Sequence, residues 1–226
     1  MSFLELVFPK FCLGCHQVGR YFCIRCQERL PYTSYDICIY CHKASYQGYT
    51  HPRCRRKFGI DCYISLFHYD SFVKKIIKTI KYRLATEVLN ELFEIIQKRL
   101  REKIIQLQSL NSNVSLQPIP LYKERLRQRG FNQAFLIAEW LKNYGSFSIG
   151  DFLMRTKHTD AQAQLPHGKQ RYENVRGAFS IINNPAGSSI ILVDDVVTTG
   201  ATVKEACLVL SRHGAENLTV FTLAKG

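Results

Sequence analysis

Apolar positions along the chain change period several times, and each change marks an element. Residues 62–69 are dense in aromatic and β-branched side chains and predict a strand. From 72 to 82, Phe72, Ile76 and Ile80 recur at helical spacing, while Lys74, Lys78 and Lys81 occupy another face. A longer helix is predicted over 86–106, with Leu89, Leu92, Phe93, Ile96 and Leu100 as its apolar stripe. Residues 114–119 predict a strand. Residues 132–143 predict a helix with Ala134, Ile137, Ala138 and Leu141 inward, and 152–155 a short strand. Residues 156–176 are polar, with little periodicity, and read as a long loop containing some helix. Loops of that length inside compact domains usually serve function. Residues 189–193 are continuously aliphatic, as expected of a strand covered on both faces. Residues 201–213 predict a helix stopped by Gly214, and 218–223 the last strand. This alternation predicts an α/β fold built on a doubly wound parallel sheet.

Cysteine usage divides the chain. Eight of the nine cysteines lie between Cys12 and Cys62, and only Cys207 lies beyond. Two units are expected, residues 1–60 and 61–226. The first carries Cys12-x2-Cys15, Cys23-x2-Cys26, Cys38-x2-Cys41 and His51-x2-Cys54. Four paired-ligand knuckles supply eight ligands, enough for two tetrahedral zinc ions, and zinc lets a short segment fold with little core. A disulfide framework or an iron–sulfur site is the competing use of such residues; the spacing and a reducing compartment favour zinc. Sequential pairing gives Cys12, Cys15, Cys23 and Cys26 for one ion, and Cys38, Cys41, His51 and Cys54 for the other. Interleaved pairing uses the same residues. With four protein ligands each site is closed and structural. His16 and His42 break the spacing and are expected beside the ligands or in solvent. Cys62 and Cys207 are expected to be core thiols.

Charge adds a partner class. Residues 1–130 hold 22 Lys and Arg against 10 Asp and Glu, whereas the remainder holds 9 against 8. An excess so placed points to a polyanion, most often nucleic acid. Arg53, Arg55, Arg56, Lys57, Lys74, Lys78 and Lys81 are the candidate phosphate contacts. Tyr63, Phe67, Tyr69 and Tyr82 are interleaved aromatics, for which core packing is the favoured use and base stacking the other. No apolar run reaches membrane-spanning length and no secretory signal is read, so the expected location is the cytoplasm.

The densest chemistry lies in residues 190–202, Ile-Ile-Leu-Val-Asp-Asp-Val-Val-Thr-Thr-Gly-Ala-Thr. A buried strand is expected to end at Asp194 and Asp195, and a Thr-Thr-Gly-x-Thr loop then opens a helix. Ligands bind open α/β sheets at such strand ends. Loop N–H groups and threonine hydroxyls suit a phosphate monoester at a helix N-terminus, and Gly200 permits close approach. Carboxylates repel phosphate, so they suit hydroxyl donors such as those of ribose. Upstream, Lys123, Arg125, Arg127 and Arg129 crowd into seven residues and suit diphosphate or nucleic-acid phosphates. Phe131 is expected as a core anchor, Asn132 as a helix cap and Gln133 as a polar contact.

Residues 190–202 closely resemble the binding motif for 5-phosphoribosyl-1-diphosphate (PRPP) of type I phosphoribosyltransferases. Further segments resemble the ComF family, also called GntX-like. They are residues 118–133, Arg155-x-Lys157, Gln162, Gln164, Arg171-x2-Asn174-Val-x-Gly-Ala-Phe179, Lys81-Tyr82 and the paired knuckles. His51 departs from that pattern, where a cysteine is common. The resemblance implies that Asp194 and Asp195 hold the ribose hydroxyls. It implies that Val197, Thr198, Thr199, Gly200, Ala201 and Thr202 hold the 5-phosphate, with Mg2+ bridging diphosphate and ribose. It also implies that the polar segment 156–176 closes over the ligand. ComF relatives are associated with natural transformation, so the resemblance implies single-stranded DNA as a ligand and a helicase-like translocase as a partner. The competing expectation is an active phosphoribosyltransferase with an acceptor the sequence does not name. A transcriptional regulator is disfavoured, because no helix-turn-helix signature is present.

Overall fold

Nine-residue strands of β-branched and aliphatic residues dominate the middle of the molecule, and their pairing fixes the architecture. The computed structural model describes residues 9–81, 85–108, 114–159 and 168–226. Tyr82, Gln162 and Gln164 lie outside the described residues. The elements are α1 (Ile24–Gln27), β1 (Cys62–His68), α2 (Ser71–Ile80), α3 (Ala85–Gln108), β2 (Val114–Pro118), α4 (Lys123–Arg129) and α5 (Gln133–Tyr144). They continue as β3 (Ser148–Ile149), β4 (Leu153–Arg155), α6 (Gly168–Val175), β5 (Phe179–Ile181), β6 (Ser189–Val197), α7 (Ala201–Arg212) and β7 (Asn217–Lys225). Five strands form one sheet in the order β1-β7-β6-β2-β3, and every pairing in it is parallel.

Both sheet faces are covered, as the aliphatic run at 189–193 requires. Ile191 and Val193 pack with Leu116, Phe221 and the buried stripes of α2, α3 and α5. Ile190 and Leu192 pack the other way, with Leu218, Val220 and Val203, Ala206, Cys207 and Leu210 of α7. In α3 the predicted stripe is buried. In α2, Val73 and Ile77 join Ile76 and Ile80 in the core, while Phe72 is only partly buried.

Two elements differ from expectation, and a third lies where the sequence assigned none. First, β6 runs to Val197, so Asp194 and Asp195 lie within the strand and not after it. The partner strand β7 is long enough to keep pairing, through Asp194 with Thr222 and Val197 with Lys225. Second, residues 153–155 form a strand, but outside the main sheet. β4 pairs antiparallel with β5, and at three residues neither is long enough to cross the sheet. Third, the basic run after Pro120 is a helix, α4, closed by Gly130 at φ 81°.

The cysteine-rich segment is sewn to the β1 edge. Tyr32 bridges Phe67 and Tyr49 bridges Cys62, both antiparallel. This covers a strand edge that would otherwise invite foreign pairing. Tyr21, Phe22 and Leu30 enter the core on one sheet face, and Ile37, Ile39 and Ile60 enter it on the other. Glu91 of α3 accepts the backbone N–H groups of Tyr21 and Phe22 at 3.1 and 2.8 Å.

Candidate functional site

The cysteine-rich segment brings its donors together in two groups. Cys12, Cys15, Cys23 and Cys26 form one, and Cys38, Cys41, His51 and Cys54 the other. In each, the ligand atoms lie within 4.8 Å of one another. This is the sequential pairing. Each first knuckle turns tightly. The His16 N–H returns to the Cys12 carbonyl and the His42 N–H to Cys38, both at 2.9 Å, with both histidines at positive φ. Neither histidine belongs to the donor sets, and both are exposed. His51 Nδ1 faces Cys41 Sγ at 3.3 Å, while its Nε2 lies 3.1 Å from the Ala44 carbonyl. That contact orients the ring as second contacts to metal-bound histidines do. Burial pushes the Cys12 and Cys38 thiols up, but converging backbone N–H groups outweigh it. Their pKa values fall to about 6 and about 7. Four soft donors with thiolate-favouring N–H groups fit a tetrahedral soft cation such as zinc. Cys62 and Cys207 are buried core thiols.

The second candidate site opens where the chain reverses direction in the sheet. From β2 the chain moves to the β3 edge, then returns to β6 on the other side of β2. The C-terminal ends of β2 and β6 therefore flank a crevice of the kind in which α/β sheets bind ligands. Asp195 is 3% exposed, and its Oδ2 lies 2.6 Å from Lys81 Nζ at the end of α2. Burial opposes the Lys81 charge, but the Asp195 carboxylate more than offsets it, so the lysine titrates above its usual range. Asp194 accepts the Asp195 N–H at 2.8 Å. Burial, and then the adjacent Asp195 charge, push the Asp194 carboxyl well above the ordinary carboxylate range. Two crowded carboxyls resist ionising together unless cations face them.

The loop after β6 has the expected build. Gly200 stands at φ 74° before the first turn of α7, a conformation that favours glycine. The Thr199 hydroxyl accepts the Ala201 N–H at 3.4 Å, and Arg171 of α6 donates to the Thr198 hydroxyl at 3.4 Å. Residue 171 thus reaches the loop from the polar segment.

Beside the carboxylates lies a cavity of about 390 Å³ lined by Lys78, Lys81, Arg125, Gln128 and Arg129. The helical form of α4 explains which basic residues take part. Residues 125, 128 and 129 share a face, whereas Lys123 and Arg127 fall on the opposite side and are exposed. Arg129 donates to Gln133 Oε1, and Arg125 donates to the Thr159 carbonyl at 2.9 Å. Arg155 donates to the Thr159 hydroxyl from the other side. Burial, and then the nearby Arg125 charge, lower the Arg155 pKa.

The structure therefore regroups the sequence candidates. Lys78 and Lys81 line the basic cavity, and Lys78 is exposed as Lys74 is, one helical turn away on α2. Gln128 was missed, although its i+3 spacing from Arg125 was a signal. Arg53, Arg55, Arg56 and Lys57 are exposed beside the second cysteine cluster. Tyr63 and Phe67 are core residues. Phe131 packs against the core, and Asn132 caps α5 by accepting the Ala134 N–H at 3.0 Å.

Comparison with known proteins agrees with this geometry. A profile described as "Phosphoribosyl transferase domain" matches residues 147–226. The chain is 27% identical over 224 residues to "Competence protein F" of Haemophilus influenzae, covering 95% of this chain and 96% of that protein. It is 29% identical over 220 residues to "Competence protein ComFC" of Bacillus subtilis, covering 90% and 83%. It is 26% identical over 222 residues to "DNA utilization protein YhgH" of Salmonella typhi, covering 90% and 96%. Among the described residues no helix is long and apolar enough to cross a membrane. A parallel sheet that ends in a phosphoribosyltransferase-type segment, two cysteine-rich clusters stitched to its edge and similarity over most of the chain to these proteins agree with the resemblance to the ComF family.

Proposed function

We propose that this protein binds PRPP and single-stranded DNA in the cytoplasm, in the handling of DNA taken up by the cell. The observation that carries the PRPP part is the cavity lined by Lys78, Lys81, Arg125 and Arg129 beside the Asp194–Asp195 pair. PRPP carries a diphosphate, a hydroxyl-rich ribose and a separate monophosphate. The cavity suits the diphosphate, the carboxylates accept the ribose hydroxyls, and Val197 to Thr202 receive the 5-phosphate. Oxygen donors beside a diphosphate also suit Mg2+, which would neutralise charge between the two. In this reading residues 1–60 fold around two zinc ions as a double zinc ribbon, and residues 61–226 form the PRPP domain. The uptake role rests on the names of the relatives. The DNA contact rests on the exposed Arg53, Arg55, Arg56, Lys57 and Lys74.

Catalysis is the second reading, and the basic cavity favours it. If the C1–O bond of bound PRPP breaks, the electron pair leaves with pyrophosphate. Arg125, Arg129, Lys78 and Lys81 would stabilise that leaving group, while an acceptor nucleophile bonds to C1.

The test is calorimetric titration of the zinc-loaded protein with PRPP and Mg2+, beside an Asp194→Ala/Asp195→Ala variant. Saturable binding by the first, and at least a hundredfold weaker binding by the folded variant, is expected. No binding by folded wild-type protein would remove PRPP as the ligand.

A further inference from the structure

We infer that Lys204 and Tyr40 are positioning residues for the phosphate loop, so that the N-terminal cysteine-rich module sets the loop's conformation. The inference rests on the proposed use of residues 198–202 for phosphate, and adds a control that the domain motif does not contain.

Lys204 stands in the first turn of α7. Its Nζ donates to the Thr199 carbonyl at 3.0 Å, and its backbone N–H donates to the Gly200 carbonyl at 2.9 Å. Its side chain passes so close that a Cβ built on Gly200 would lie 3.1 Å from Lys204 Cε. In a trans peptide the Thr199 carbonyl and the Gly200 N–H point in opposite directions from one plane. Holding that carbonyl therefore fixes the direction of the loop's own N–H donor.

The lysine is itself held by another module. Its Nζ lies 5.5 Å from the centre of the Tyr40 ring, within cation–π range. The Arg56 guanidinium lies 5.1 Å from the same ring. Tyr40 sits inside the knuckle between Cys38 and Cys41, and its hydroxyl accepts the Ile60 N–H at 2.9 Å. A chain of contacts thus runs from the second cysteine cluster through Tyr40 and Lys204 to the peptide between Thr199 and Gly200. A lysine that only met phosphate directly would need no such aromatic seat.

The test uses the full-length, zinc-loaded protein and four variants: Tyr40→Leu, Tyr40→Phe, Lys204→Met and the Tyr40→Leu/Lys204→Met double. Hydrogen exchange of the amides at 198–204 is measured without ligand, and PRPP affinity by calorimetry. Both Tyr40→Leu and Lys204→Met are expected to speed exchange in the loop and to weaken PRPP binding roughly tenfold. The double variant is expected to be no worse than the more affected single variant, because the two act in series. Tyr40→Phe keeps the ring and should stay within about twofold of wild type. Unchanged loop exchange in both single variants overturns the inference, whatever PRPP does. So does a double variant whose losses simply add, since Lys204 would then act independently of Tyr40. Should wild-type protein fail to bind PRPP, the exchange data still decide the positioning role, and only the choice of ligand falls.

Discussion

At the scale of single residues, the site's tension lies in Asp194. Its carboxyl titrates well above the ordinary range because it is buried and because Asp195 is adjacent. The folded protein therefore holds this proton more tightly than the unfolded chain does. With a raised folded pKa, stability is highest in acid and falls as pH rises through the carboxylate range toward the raised value. Asp194→Asn removes that loss. Its melting temperature should exceed that of wild type at pH 8, with the gap narrowing at pH 4, while PRPP affinity collapses. Melting curves across this range check it, and a gap independent of pH would mean Asp194 is not the titrating group. A residue that costs stability where it stands is what a ligand site retains. The strand, loop and helix around Asp194 and Asp195 were legible because they begin within thirteen consecutive residues. Lys81 was not legible as their partner. Its helical spacing with Lys74 and Lys78 describes a face of α2, but says nothing of what the end of α2 meets.

At the scale of elements, helices and strands were legible wherever an apolar stripe faced the core. The stripes of α3 and α5 and the aliphatic run of β6 gave type and place. Elements lacking such a stripe were not. The first residues of α4 are charged and none of its residues is buried, so its periodicity lies in cations, not in hydrophobes. β4 and β5 are too short for alternation to show. The helical form of α4 makes a sharp prediction, because it sorts four closely spaced cations onto two faces. Arg125→Ala and Arg129→Ala should each weaken pyrophosphate binding roughly tenfold, the loss expected for one charge-assisted contact. Lys123→Ala and Arg127→Ala should change it less than twofold, since both residues face solvent on the far side. Calorimetry with pyrophosphate and Mg2+ separates these outcomes. Equal losses at all four positions would show that only total charge matters.

At the scale of the whole molecule, the two cysteine-rich clusters were legible from cysteine spacing. The packing of the cysteine-rich segment on the sheet was not, because Tyr21, Phe22, Ile37 and Ile39 carry no sign of which core they enter. That packing also separates the positive charge into two sets. Lys78, Lys81, Arg125 and Arg129 line the cavity, whereas Arg55 and Lys57 lie exposed beside the second cluster. The second set is free to track a nucleic-acid backbone while the cavity set serves a small diphosphate. Binding of a labelled oligo(dT) strand, followed by fluorescence anisotropy across a salt series, tests this separation. Each backbone phosphate contact contributes about 0.7 to the slope of log affinity against log salt on single strands. An Arg55→Ala/Lys57→Ala variant should therefore lose about 1.4 of that slope. It leaves Arg56 on Tyr40, so PRPP affinity should hold. An Arg125→Ala/Arg129→Ala variant should show the reverse, a wild-type slope with weakened PRPP binding. If removing the cavity cations instead flattened the salt dependence, the strand would run through the diphosphate cavity. DNA and PRPP would then compete for one site, and saturating PRPP would displace the oligonucleotide.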